Sequence, residues 1–208
     1  MIDSSSLWFE SDSGAWSQAL AAYPSVVAGQ GVAGLADLDT WYREALPPLL
    51  AARDPAHLTR DELMRIVEWK MKRGVWRARN LALVRGNGED EVRRVSAAAL
   101  ALAPDPRKPV AGLAGLAGVG PATASAALAA AHPQLYPFFD ELVADQIPDL
   151  GQVAFTLPYY VRYAARLRER AAALVTADPT GGWTAHVAGQ ALWAAAGGKA
   201  GRHDLVEE

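Results

Sequence analysis

Residues 113–140, LAGLAGVGPATASAALAAAHPQLYPFFD, decide how the rest of the chain is read. They spell a short helix, a tight Gly118-Val119-Gly120 turn and a second, Ala-rich helix, then a Pro-broken loop that ends on Asp140. Glycine adopts backbone conformations and close approaches that a Cβ obstructs. Pro121 suits the first turn of a helix, where its missing N–H is not needed. The second helix therefore begins with free amide N–H groups beside Gly120. Such a terminus attracts anions, phosphate being the natural candidate. Taken alone, a Gly-Val-Gly turn is equally an ordinary connection between two helices of a bundle.

Outward from this stretch the periodicity is helical throughout. Ser13 to Tyr23 places Trp16, Ala19, Leu20 and Tyr23 on one face, and Pro24 is expected to end that helix. A Gly-rich link, Ala28 to Gly34, leads to a helix over Asp39 to Ala52, with a kink or break expected at Pro47-Pro48. Thr59 and Glu62 form a capping box, Leu58 and Leu63 a hydrophobic staple, and Gly74 a stop, which predicts a helix over Thr59 to Arg73. Further helices are expected over Trp76 to Val84 and from Glu89 to Leu102, separated by the turn Gly86-Asn87-Gly88. After Asp140 come a short helix broken at Pro148, a long helix from Pro158 to Thr176 and a last one from Trp183 to Ala196; the tail from Gly197 to Glu208 is expected to fray. No alternating strand pattern and no internal repeat is visible. The fold class is all-α.

Composition removes several chemistries. The 208 residues contain no Cys, which excludes disulfides, thiol catalysis and iron–sulfur clusters. The start lacks the basic head and apolar core of a secretory signal, and no apolar run reaches the roughly 18 residues of a membrane span. A cytoplasmic protein that does not meet the membrane is expected. The formal charge of −3 argues mildly against a non-specific nucleic-acid coat, although local patches matter more than the total. His57, His132, His186 and His203 are scattered without metal-ligand spacing, and neither a P-loop nor a dinucleotide fingerprint occurs, so no metal or cofactor is indicated.

The pattern L-x-x-L-x-G-V-G-x-x-T-A over Leu113–Ala124 resembles the helix-hairpin-helix of DNA repair proteins, and more specifically that of the helix-hairpin-helix DNA glycosylase superfamily. Members follow the hairpin with a catalytic Asp at a nearly fixed interval, and Asp140, twenty residues after Gly120, falls at it. The resemblance covers about Val110 to Val143. It implies Asp140 as the catalytic residue and Gly118, Val119, Gly120, Ala122 and Thr123 as the DNA-binding hairpin, whose carbonyls can hold a monovalent cation in this family. Bifunctional members carry a Schiff-base Lys two residues after the second hairpin Gly; here that position is Ala122, which implies a monofunctional, hydrolytic enzyme. Glu141-Leu142-Val143 departs from the residues common after the acid in the best-studied branches. Asp140 also sits where the N-cap of the next helix would sit, and the two roles can coexist.

A second constellation is the basic stretch Trp69 to Asn80. Its cations Lys70, Lys72, Arg73, Arg77 and Arg79 are expected to meet phosphates. Trp69 and Trp76, with Trp41, Tyr42, Tyr136, Phe138 and Phe139, form the pool for walls of a base pocket, although core packing is the favoured account of the two Trp. Arg162, Arg166 and Arg170 share a helix face best read as solvated. The expected architecture is two helical lobes of one compact unit: 25–135, containing the hairpin at about 110–131, and 1–24 with 136–208, carrying Asp140. The expected activity is hydrolysis of the N-glycosidic bond of a flipped base. That base would be damaged, or a hypermodified base of foreign DNA, and the partner of a monomer would be double-stranded DNA. The rival expectations are a non-catalytic helix-hairpin-helix DNA-binding or scaffold protein, and a protein-interaction bundle.

Overall fold

The structure, a computed structural model, describes residues 6–199. Among them there are only helices, turns and loops, and no helix is long and apolar enough to cross a membrane. After a 3-10 turn at Leu7–Phe9 come α1 (Ser13–Gly29), α2 (Leu35–Thr40), a π-helical turn (Trp41–Ala45) and α3 (Leu46–Ala51). Next are α4 (Arg60–Arg73), α5 (Ala78–Arg85), α6 (Glu89–Leu100), α7 (Lys108–Leu113) and α8 (Pro121–Ala131). The chain closes with α9 (Glu141–Ala144), α10 (Leu157–Ala177) and α11 (Ala185–Ala195).

Side-chain caps mark most of the long helices. At α4 the Thr59 hydroxyl accepts from Glu62 N–H and the Glu62 carboxylate accepts from Thr59 N–H, completing the capping box. Glu62 also takes both arms of Arg53 at 2.7 Å, and these donors hold its pKa below the ordinary value against the opposing effect of burial. Asp12, Thr156 and Thr184 cap α1, α10 and α11 in the same way.

Two expected breaks come out differently. Pro24 does not end α1, which runs on to Gly29. An internal proline costs about 3 kcal/mol. The continued helix buries Tyr23 and Val27, and each large apolar side chain is worth roughly 1.5–3 kcal/mol. Burial against α11, including Tyr23 against the ring of Trp193 at 5.4 Å, outweighs the lost hydrogen bond. Ahead of Pro47-Pro48 the helix does not stop but widens into the π turn, where Leu46 N–H reaches back to the Trp41 carbonyl. Trp76 lies outside α5, in the link Gly74–Arg77, and is exposed. Gly197–Lys199 do not fray, because Lys199 Nζ donates to the Gly74 carbonyl; positions 200–208 lie outside the described residues.

Contacts between helices fall into two groups. Helices α2 to α8 pack around α4 and α8, while α1, α9 and α10 pack on α11; α1 also meets α2. Helix α1, which spans residue 24 without a break, makes most of its contacts with α11. One hydrophobic core, from Leu7 to Ala194, runs through both groups. Of the arginines on the face expected to be solvated, Arg162 is exposed and Arg166 pairs with exposed Glu169 at 2.9 Å, whereas Arg170 turns inward. Arg168 donates to the Leu135 carbonyl and Arg170 to that of Trp8, with the Arg170 guanidinium 4.8 Å from the Trp8 ring, so they fasten loops to the helix.

The hairpin turn is pinned from α5 and the turn after it. The Asn87 carboxamide both accepts from Ala117 N–H (2.9 Å) and donates to Ala117 O (3.0 Å). Gly118 has φ +76°, and a Cβ there would lie 2.7 Å from the Asn80 carbonyl oxygen and 2.9 Å from Leu83 Cβ. Gly120, at φ −99°, has nothing within 4 Å of a built Cβ. Gly118→Ala is therefore expected to lower unfolding free energy by about 1–3 kcal/mol, and Gly120→Ala to change it by less than about 0.5 kcal/mol. Urea denaturation of both variants checks the contrast.

Candidate functional site

The stretch around Asp140 is held from several sides. Ser125 on α8 accepts the Phe139 N–H (2.9 Å) while donating to the Ala122 carbonyl (2.8 Å). Tyr160 and Tyr163 on α10 donate to the carbonyls of Pro137 (3.2 Å) and Phe138 (2.6 Å), and the Phe138 N–H donates to His186 Nδ1 on α11 (3.4 Å). Burial pushes both tyrosine pKa values well up, so the hydroxyls remain donors. The backbone polar groups leading to the acid are thus satisfied by side chains of three helices. Asp140 itself caps α9: its Oδ1 accepts the Leu142 N–H at 2.9 Å.

The other carboxylate oxygen meets an arginine that sequence reasoning had placed on DNA. Arg73 is buried, 5% exposed, and its Nη2 donates to Asp140 Oδ2 at 3.1 Å. Its guanidinium lies 4.1 Å from the ring centroid of Trp193 and 4.9 Å from that of Trp69. Its Nη1 donates to the Tyr23 hydroxyl and stands 3.9 Å from Asp39 Oδ1. Asp39, also buried, accepts from Tyr23, Trp69 and Arg43 at 2.7, 2.9 and 2.7 Å. Two arginines and two aspartates thus balance inside the protein. Burial disfavours the charge on Arg73, but Tyr23, Asp140 and Asp39 more than offset it and raise its pKa. Periodicity carried the signal: Ile66, Trp69 and Arg73 share the buried stripe of α4.

Asp140 opens onto a cavity of about 440 Å³. Hairpin residues Gly120, Ala122 and Thr123 form one side, and Phe138, Phe139, Leu142 and Phe155 give it apolar walls. Lys70, Arg77 and Lys199 bring positive charge. Gly120 supplies no side-chain cap to α8, so the Ala122 and Thr123 N–H groups have no acceptor among the described residues. Burial, reinforced by Arg77 and opposed by Asp140, lowers the pKa of Lys70.

The other expected site residues lie elsewhere. Tyr42 and Trp69 stack on each other at 3.8 Å in the core, Tyr42 donating to Ala126 O and Trp69 to Asp39; neither borders the cavity. Trp41 is buried under Arg65, 3.9 Å from its ring, and Tyr136 is buried with its hydroxyl on the Asp105 carbonyl. These aromatics pack because helix interiors need large apolar area, which takes them from the pocket. Trp76 is exposed but not on the cavity wall. Lys72 is turned to the Ala33 carbonyl and Glu68, and Arg79 is exposed away from the cavity. Gly118 and Val119 form the turn, with Val119 in the core. Of the expected wall residues, Phe138 and Phe139 border the cavity. Phe155 was missed because it stands in a loop with no periodicity. Ser125 and His186 were missed because their roles are long-range hydrogen bonds. Among the described residues no three His, Asp or Glu come together as a metal site.

Compared with protein-family models, with curated proteins and with solved structures, the chain matches none. What can be said of the site therefore rests on its geometry and on the hairpin pattern.

Two stability predictions follow from this geometry. Arg73→Met removes the buried cation that Asp39 and Asp140 share and is expected to cost about 3–5 kcal/mol, part of which returns in the Arg73→Met/Asp140→Asn double variant; urea unfolding of the single and double variants beside the parent measures it. His186 is held neutral, its pKa lowered from 6.5 to about 3 by burial and by Arg73. The unfolded chain takes up that proton as pH falls below about 6.5, so stability present at neutral pH is lost progressively toward pH 3. The slope from this group is about 1.4 kcal/mol per pH unit. His186→Asn is expected to remove that component, which is read by comparing unfolding free energies at pH 7, 5.5 and 4.5.

Proposed function

We propose that this protein is a monofunctional DNA glycosylase, which hydrolyses the N-glycosidic bond of a base flipped out of duplex DNA and leaves an abasic site. The observation that carries the reading is the meeting, on one cavity, of the uncapped start of α8, two α4–α5 cations and the carboxylate of Asp140. The free N–H groups of Ala122 and Thr123, with Lys70 and Arg77, suit the phosphates flanking the extruded nucleotide. A target base inside a duplex is out of reach of any carboxylate, so it must leave the stack. The Phe138, Phe139 and Phe155 rings offer it apolar surface to replace what it loses.

Cleavage of the glycosidic bond puts positive charge on the sugar, as in oxocarbenium-like transition states generally. Asp140 supplies a fixed negative charge for that centre and an acceptor for the attacking water. Arg73 and the Leu142 N–H hold the carboxylate without occupying all of its lone pairs. Ala122 offers no amine at the hairpin position, which favours hydrolysis.

The test is abasic-site formation on a panel of duplexes carrying deaminated, alkylated, oxidised and hypermodified bases. Release of at least one base, with Asp140→Asn slower by about 10²–10⁴-fold and still folded, is the expected result. Duplex binding should weaken steeply with salt, as counterion release requires. Tight binding with no base released from any substrate would favour the non-catalytic DNA-binding protein instead, and binding insensitive to salt would remove DNA as the partner.

A further inference from the structure

A second cavity, of about 560 Å³, lies between the π turn with α3, the end of α8 and the start of α11. Its walls are mostly small and apolar, from Pro47, Pro48 and Ala51 on one side to Ala129–Ala131 on the other. Three polar side chains interrupt them: Arg43, His186 and Gln190. Gln190 is 8% exposed, and its carboxamide has no hydrogen-bond partner among the described residues. Its amide atoms are not among those sealed from solvent, so at the cavity wall they stand open to a ligand.

The backbone beside it is unusual too. In a helix the carbonyl of Arg43 would be met by the N–H of residue 47 or, in a π turn, of residue 48. Both are prolines and have none. The Tyr42 carbonyl loses residue 47 for the same reason, and the Leu46 N–H is committed to Trp41. The His186 ring accepts the Phe138 N–H through Nδ1, so in its neutral form the proton sits on Nε2 as a donor. The cavity border thus combines donors and acceptors in close company with apolar surface. Its charges are already balanced, since Arg43 is bound to Asp39 at 2.7 Å and His186 is neutral.

We propose that this cavity is a binding site for a small uncharged molecule with an amide or lactam edge, held by the Gln190 carboxamide and the His186 Nε2–H over the Pro47–Pro48 wall. A carboxamide pairs with such an edge reciprocally, giving one hydrogen bond and taking one. A carboxylate or ammonium ligand would find no uncompensated opposite charge here. The inference is independent of the chemistry at Asp140 and adds a second site to the molecule.

The test uses the full chain, with 2-pyrrolidinone and uracil as lactam probes, nicotinamide as a carboxamide probe and benzoate as a charged control, followed by protein NMR shifts. Saturable binding of at least one uncharged probe, with shifts mapping to α3 and α11, and none for benzoate, is expected. Gln190→Leu should weaken that binding tenfold or more while leaving the unfolding midpoint unchanged or higher, because it removes an amide that holds no structural partner. Ala51→Trp, at an exposed wall position, should plug the cavity and abolish binding without touching the core. The proposal is overturned if no uncharged probe binds, if Gln190→Leu and Ala51→Trp bind as wild type, or if Gln190→Leu unfolds more easily. Lactam binding with no carboxamide binding, or the reverse, would support it and identify which edge the site selects.

Discussion

The interior of this protein is arranged around one guanidinium. Arg73 sits between two indole rings, with a carboxylate on either side and a tyrosine hydroxyl against it. An isolated charge at that depth would be driven out or neutralised. Here Asp39 and Asp140 compensate it, Arg43 compensates Asp39, and the indoles present the negative faces of their rings. Every partner depends on the others. The helices that carry them, α1, α2, α4 and α11, are thereby committed to one mutual arrangement.

That arrangement explains why Asp140 is so well placed. A carboxylate at the rim of a cavity would ordinarily swing among rotamers. Here one oxygen takes a backbone N–H and the other the arginine, while the residues before it are held by Ser125, Tyr160, Tyr163 and His186. For the activity proposed above, rigid support of this kind would let the charge stabilise a transition state without first reorganising. The interval between hairpin and acid has a physical counterpart: Ser125 bonds α8 to the Phe139 backbone, so the hairpin and Asp140 move as one piece.

Local signals in the sequence were legible and long-range ones were not. The capping box of α4, the glycine turn, the Pro-led start of α8 and the N-cap position of Asp140 all depend on neighbours within a few residues. Pro24 was misread because the packing of Tyr23 and Val27 against α11 is invisible to local propensity. Charge runs misled more seriously. Trp69 to Asn80 reads as a basic surface, yet its five cations have separate fates: Arg73 is in the core, Lys72 holds a loop carbonyl, Lys70 and Arg77 border the cavity and Arg79 faces elsewhere. Net charge along a segment says nothing of which members lie on the buried stripe. Most of the aromatic pool lies off the cavity for a related reason, Trp69 as its core account expected. Tyr42, Trp69 and Tyr136 are large enough to be worth more in the core than on a wall.

The pairing of α1 with α11 has a consequence for the order in which the molecule is built. Helices α2 to α8 are consecutive in the chain, and the return of α8 onto α3 and α4 closes their group. The other lobe cannot form until α11 has been synthesised, because α1 waits across most of the chain for its partner, a long closure that slows folding. Arg73 belongs to the early lobe, whereas Trp193, Tyr23 and Asp140 belong to the late one. Asp39, Arg43 and Trp69 lie with Arg73 in the first of these groups, and its set of partners is complete only with Tyr23, Asp140 and Trp193. The hold on the acid therefore draws on segments from both ends of the chain.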